Sequence, residues 1–173
     1  MPRSVESRTD FHPERVIGLL GRHGVRYVLI GGLAAVTHGV PLVTQDIDIC
    51  YAREHDDLER LAAALHEVHA TLRGADPDLP FKPDARTLRA GDAFTLTTDL
   101  GWIDLLGTPD GSSGYEDLAR TAERFTLFGH QVLVASIDDL IRMKRAAGRP
   151  KDLMAVEELG ALREEFDESK GRA

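Results

Sequence analysis

The stretch that decides the fold is "YVLIGGLAAVTHGVPLVTQDIDI", residues 27–49. Tyr27, Val28, Leu29 and Ile30 read as a buried strand that stops at Gly31-Gly32. "GLAAVTHG" is compatible with a short helix ending at Gly39. "DIDICYA" alternates and is β-branched, so it reads as a second strand. Side chains alternate across a strand, which puts Asp46 and Asp48 on one face and sends Ile47 and Ile49 to the other, into the core. Two carboxylates spaced roughly 6–7 Å apart along a strand repel each other unless something positive lies between them.

Outward from this stretch the chain has the make-up of a globular protein. Its 173 residues suggest one domain, or a core with a small appendage. Hydrophobic residues make up 42% and charged residues 29%, ordinary values for a soluble chain. The apolar runs fall far short of a membrane span. "MPRSVESRTD" has no apolar signal-peptide core, so a cytoplasmic protein with no membrane partner is expected. The single cysteine, Cys50, rules out an internal disulfide and any multi-cysteine zinc site. A net charge of −8 argues against nucleic-acid binding over the whole surface, while leaving room for a local basic patch.

"PERVIGLLGRHG" has helical periodicity and "DDLERLAAALHEVH" is a second amphipathic helix. Residues 73–92 are rich in Pro, Gly and Asp and read as a loop, with a short strand at Arg86–Arg89. "AFTLTTD" and "GWIDLLG" read as a hairpin, and "FTLFGHQVLVA" as another turning at Gly129-His130. Ser136 opens a helix with Asp139 as capping-box partner, Gly148 ends it, and Pro150 begins a last helix. The expected class is α/β (α+β): a mixed sheet flanked by helices, with a core over residues 1–135 and a helical appendage over 136–173.

A third acid, Asp104 in "GWIDLLG", also lies inside an apolar strand, where a solvated carboxylate is not expected. Its alternatives are a metal-site acid or a buried acid paired with an arginine, and those of Asp46 and Asp48 are a metal site or strand-end acids facing water. Hard divalent cations such as Mg²⁺ favour oxygen ligands and often combine one or two carboxylates with substrate phosphates. A glycine turn lets backbone amides approach a phosphate, and a helix N-terminus favours its charge. Phosphate binding at Gly31-Gly32 and metal binding at Asp46, Asp48 and Asp104 together point to metal-assisted in-line attack on a phosphoryl group.

Glycine pair, Asp-x-Asp and later acid, in this order and spacing, resemble the nucleotidyltransferase superfamily with the DNA polymerase β-like fold. The pattern is most similar to AbiEii-type toxins of type IV toxin–antitoxin systems and related mycobacterial toxins, including the tail "SIDDLIRMKRAAGRPKDLMAVEEL". The resemblance implies a magnesium-dependent, ATP- or other nucleoside-triphosphate-binding transferase that releases pyrophosphate. It implies two Mg²⁺ ions, with Mn²⁺ as substitute, on Asp46, Asp48 and Asp104. Gly31 and Gly32 would cradle the β/γ-phosphates, and Asp104 would help deprotonate the acceptor hydroxyl. The implied partners are an RNA acceptor such as a tRNA 3′ end and a cognate antitoxin protein. Two features depart from the family: Gly32 stands where most members have Ser, and Leu42 stands where many subgroup members have Arg.

Lys144 falls on the apolar stripe of Ile137, Leu140 and Ile141, and Asp152 shares a stripe with Ala155, Val156 and Leu159. Such buried ionisable groups need an explanation. They are either a structural salt bridge closing the helical hairpin or, as the resemblance implies, active-site groups. In the latter role Lys144 would be near the triphosphate and Asp152 would position it or the acceptor. Residues 142–151 hold five basic side chains, Arg142, Lys144, Arg145, Arg149 and Lys151, a candidate surface for an anionic substrate. His66 and His69 read as a solvated face, His38 as a helix-end residue with a remote chance of reaching the site, Cys50 as core, and Trp102 as core or a base-stacking platform. Two rival functions remain open. One is the same chemistry on a small molecule, as in aminoglycoside or lincosamide nucleotidyltransferases. The other is a non-catalytic nucleotide- or partner-binding module.

Overall fold

A computed structural model describes residues 10–76 and 78–172. The segment read above as lacking a secretory core lies almost wholly outside these residues. Along the chain run α1 (Pro13–Arg22), β1 (Tyr27–Ile30), α2 (Gly31–His38), β2 (Asp46–Tyr51), α3 (His55–Glu67), β3 (Thr71–Leu72) and α4 (Ala85–Ala90). Then come β4 (Ala93–Thr98), β5 (Gly101–Leu106), α5 (Tyr115–Thr121), β6 (Glu123–Leu127), β7 (His130–Val134), α6 (Ile137–Ala147) and α7 (Pro150–Gly171). The mixed α/β class is as expected. No helix among the described residues is long and apolar enough to cross a membrane.

The strands form one mixed sheet in the order β3-β4-β5-β2-β1-β7-β6. β2 lies between antiparallel β1 and parallel β5, so the two acid-bearing strands are neighbours. Alternation along β2 works as the sequence implies: Ile47 and Ile49 are fully buried, while Asp46 and Asp48 are only partly so. α1 supplies Val16, Ile17, Leu19 and Leu20 to the core, and α3 supplies Leu58, Leu61 and Leu65. This apolar burial gives the sheet a rigid base from which the carboxylates project.

Several local expectations need correction. Arg86–Arg89 is not a strand but part of α4, because the Asp84 side chain accepts a hydrogen bond from Thr87 N at 2.8 Å and caps a helical turn. The same proline-rich segment begins beside a strand, β3, too short to show periodicity. α5, unanticipated, is a seven-residue helix between β5 and β6. The second hairpin turns at Phe128-Gly129, one residue early, both with positive φ (50° and 81°), and His130 is already in β7. Ser136 does cap α6 by accepting from Asp139 N. Asp139, however, turns its carboxylate to the Thr121 hydroxyl and to Arg142 instead of returning it to Ser136.

Candidate active site

Strand register brings the acids together. Asp48 stands opposite Asp104 across the β2–β5 pair, and opposite Ile30 on the other side, next to the glycines. One oxygen each of Asp46, Asp48 and Asp104 lies within 4.8 Å of the others. Three hard oxygen donors at this separation suit a small divalent cation, whose trans ligands stand roughly 4 Å apart. Burial first, then the negative charges of Asp46 and Asp104, push the Asp48 carboxyl up to about 7, with Lys144 opposing. Burial also raises Asp104, against the pull of the Arg73 guanidinium. Carboxyls that resist ionisation side by side are what a metal ion would relieve.

Gly31 is the first residue of α2, so the glycine pair forms the helix's own first turn. Its φ is +69°, and a Cβ there would overlap the Asp48 carboxylate, so no side chain fits between the helix start and the acids. No side chain caps this turn, and both glycines line the cleft, where a helix start of this kind favours an anion. Gly32 is less constrained: a Cβ would come 3.2 Å from Thr44 Oγ1. The Thr44 hydroxyl lies 3.1 Å from Asp46 Oδ1 and 3.0 Å from Asp46 O, which fixes the first acid. Leu42 is exposed, with its Cδ1 3.6 Å from where a Gly32 Cβ would lie.

The glycine pair, Thr44 and the three acids line one cleft of about 390 Å³ together with Asp110, Met143, Lys144, Arg149, Lys151 and Asp152. Asp152 is 1% exposed and is held by Arg149 Nε at 2.5 Å, Arg149 N at 3.2 Å and Lys144 Nζ at 3.3 Å. Its carboxyl is lowered by the Arg149 hydrogen bond first, with Lys144 assisting against burial. The salt-bridge and active-site readings of Lys144 and Asp152 therefore describe the same place. The pair closes the α6–α7 hairpin, and it does so in the cleft wall.

The basic run does not act as one surface. Arg142 turns away to Asp117 and Asp139, whereas Lys144, Arg149 and Lys151 line the cleft. His38 lies away from it, buried, with Nε2 at 2.8 Å from Ala135 O and its ring edge-on to Phe125. His66 and His69 are exposed, His69 beside Asp99, and Cys50 is buried.

Two side chains at the site escaped sequence reasoning. Thr44 carried no periodic signal. Arg73 sits in the segment read as loop, yet its Nη2 donates to Asp104 Oδ1 at 2.7 Å and its guanidinium lies over Trp102, 4.3 Å from the ring centroid. The alternative of Asp104 paired with an arginine is thus realised, in a half-buried acid, but nothing in the sequence singled out Arg73 as that arginine.

No protein-family model matches the chain, and no curated protein matches it significantly. Solved structures do. The lincosamide antibiotic adenylyltransferase LnuA, bound to lincomycin, aligns over 90% of this chain and 99% of its own, at 13% identity and a TM-score of 0.58. The antibiotic-resistance factor ANT(2'')-Ia aligns over 91% and 90%, at 12% identity and a TM-score of 0.51. At such identities the likeness establishes the architecture: this chain has the nucleotidyltransferase fold.

Proposed function

We propose that the protein is a nucleotidyltransferase that moves a nucleoside monophosphate from a nucleoside triphosphate to an acceptor hydroxyl. The observation that carries this reading is the convergence of Asp46, Asp48 and Asp104 beside an uncapped glycine-first helix turn, on that fold. Mg²⁺ bound by the three carboxylates would neutralise charge developing on the attacking and leaving oxygens. Asp46 and Asp48 would supply ligands to the ion, and Thr44 keeps Asp46 oriented. Amides of Gly31 and Gly32 receive the β/γ-phosphates, with Lys144, Arg149 and Lys151 offsetting their charge and Asp152 fixing Lys144 and Arg149. Asp104 accepts the acceptor's proton as its oxygen attacks the α-phosphorus, and the bond to pyrophosphate breaks in line.

RNA, such as a tRNA 3′ end, is the acceptor that the toxin-like motif favours, with an antitoxin as its partner in the cytoplasm. A second reading, a small cationic acceptor, is favoured by the lining of the cleft. Asp46, Asp48, Asp104, Asp110 and Asp152 face only Lys144, Arg149 and Lys151 there. The solved structures that share the fold include an enzyme acting on a lincosamide antibiotic. Incubation with labelled nucleoside triphosphates, Mg²⁺ and either total RNA or a panel of aminoglycosides and lincosamides separates the two. Label on RNA selects the first reading and label on a drug the second. Transfer that survives Asp46→Ala and Asp48→Ala would remove the mechanism altogether.

A further inference from the structure

Arg73 reaches the site from two strands away. Its backbone amide donates to Thr95 O at 2.9 Å, just past β3, which anchors it at the sheet edge. β4 separates β3 from β5, a span of roughly 10 Å that the side chain crosses above the sheet. Three contacts then hold the guanidinium. Nη2 donates to Leu96 O at 3.1 Å and to Asp104 Oδ1 at 2.7 Å, and the plane covers Trp102. Trp102 is fixed in β5 directly opposite Asp46. Arg73 Nε is buried and, among the described residues, has no hydrogen-bond partner. A buried orphan donor costs about 1–3 kcal/mol, so the guanidinium is placed by Asp104, the Leu96 carbonyl and the ring at the expense of its own hydrogen bonding.

The hydrogen bond from Arg73 engages Oδ1 of Asp104, in a side chain that lines the cleft. Ligating carboxylates are ordinarily held from outside in this way, and the outer partner sets how well they bind. We propose that Arg73 is a positioning residue: held by Trp102, it orients the Asp104 carboxylate so that its second oxygen joins Asp46 and Asp48 in binding a divalent cation. This rests on the metal-site reading above. It has a readout built in, because Trp102 is the chain's single tryptophan and Arg73 lies against its ring.

The test uses the full chain as wild type, Arg73→Gln, Arg73→Lys and Asp48→Asn. Mn²⁺ binding is followed by paramagnetic resonance of the free ion, and Mg²⁺ binding by Trp102 emission. Arg73→Gln should weaken Mn²⁺ binding by about 10-fold or more. Arg73→Lys should lose less, since an ammonium supplies the charge without the fork or the stack. Wild-type emission should respond to Mg²⁺ and that of Arg73→Gln should not. Unchanged Mn²⁺ affinity in Arg73→Gln overturns the proposal, and tighter binding would mean that Arg73 competes with the ion instead. If Arg73→Gln does not fold, Arg73→Lys carries the test, and parity with wild type overturns the proposal. Asp48→Asn keeps the two levels apart. If it binds Mn²⁺ like wild type, the metal site itself is lost. If it alone loses binding, only the role of Arg73 is.

Discussion

Asp48→Asn should make the metal-free protein more stable, and more so as pH rises. The substitution keeps the shape of the side chain and removes its charge. With oxygens of the three acids within 4.8 Å, a pair of full charges at an effective dielectric of about 20 repels by roughly 3.5 kcal/mol. Burial first, then these charges, lift the Asp48 carboxyl from 3.8 to about 7, which corresponds to on the order of 4 kcal/mol. The sign follows from linkage. The folded state binds this proton more tightly than the unfolded state, so its contribution is fully present below the unfolded value and is lost as pH rises through about 7. The penalty that Asp48→Asn removes is thus about 2 kcal/mol at pH 5 and on the order of 4 kcal/mol at pH 8. For a chain of this size that is a rise in Tm of about 10 °C at the higher pH. Thermal melts followed by circular dichroism in EDTA at both pH values measure it. Saturating Mg²⁺ should then raise the wild-type Tm and leave that of Asp48→Asn nearly unmoved, narrowing the gap. A variant no more stable than wild type at pH 8, or a gain independent of pH, would refute the account of a buried carboxylate crowded by other acids.

The two glycines should differ. Gly31→Ala, with φ +69° and no room beside Asp48, should cost more than about 2 kcal/mol by urea unfolding. Gly32→Ser needs only a small shift of Thr44 and should cost less than about 1 kcal/mol. Asp152→Ala removes the buried acceptor shared by Lys144 and Arg149 and should lower stability by about 2–3 kcal/mol in the same assay. The Asp152 carboxyl is held below its ordinary value, so its stabilisation is present above pH 3.8 and lost as pH falls through the lowered folded value. An acid titration of stability should therefore be shallower in Asp152→Ala than in wild type below pH 3.8. Lys144→Met should raise the KM for nucleoside triphosphate by about 10-fold or more, since a charge-assisted contact is worth about 1.5–3 kcal/mol, while leaving Asp152 paired with Arg149. An unchanged KM would take Lys144 out of the phosphate site.

Much of the core was written locally. Strand β1, its glycine stop, the alternation of Asp46-Ile47-Asp48-Ile49 and the capped start of α6 depend on neighbours within a few residues, and each is where the sequence puts it. The α4 turn was missed because a single Asp84 cap outweighed the strand-like spacing of Arg86–Arg89. The hairpin turn was placed a residue late because Phe128, a bulky residue, adopts a positive φ that only the strand pairing enforces.

What the sequence determined by itself is therefore local: an apolar strand that stops at a glycine pair, and an alternation that assigns Asp46 and Asp48 to one face, with Asp104 on a separate apolar strand. Only the tertiary structure decided the company they keep. Arg73 meets Asp104 across two strands and 31 residues, and Lys144 and Asp152 become a single pair in the cleft wall while Arg142, from the same basic run, leaves for Asp117. The physical reason is range. Alternation and capping are fixed by the geometry of adjacent peptides, whereas an ion pair depends on which strands the sheet sets side by side, and that is chosen by burial of the whole core.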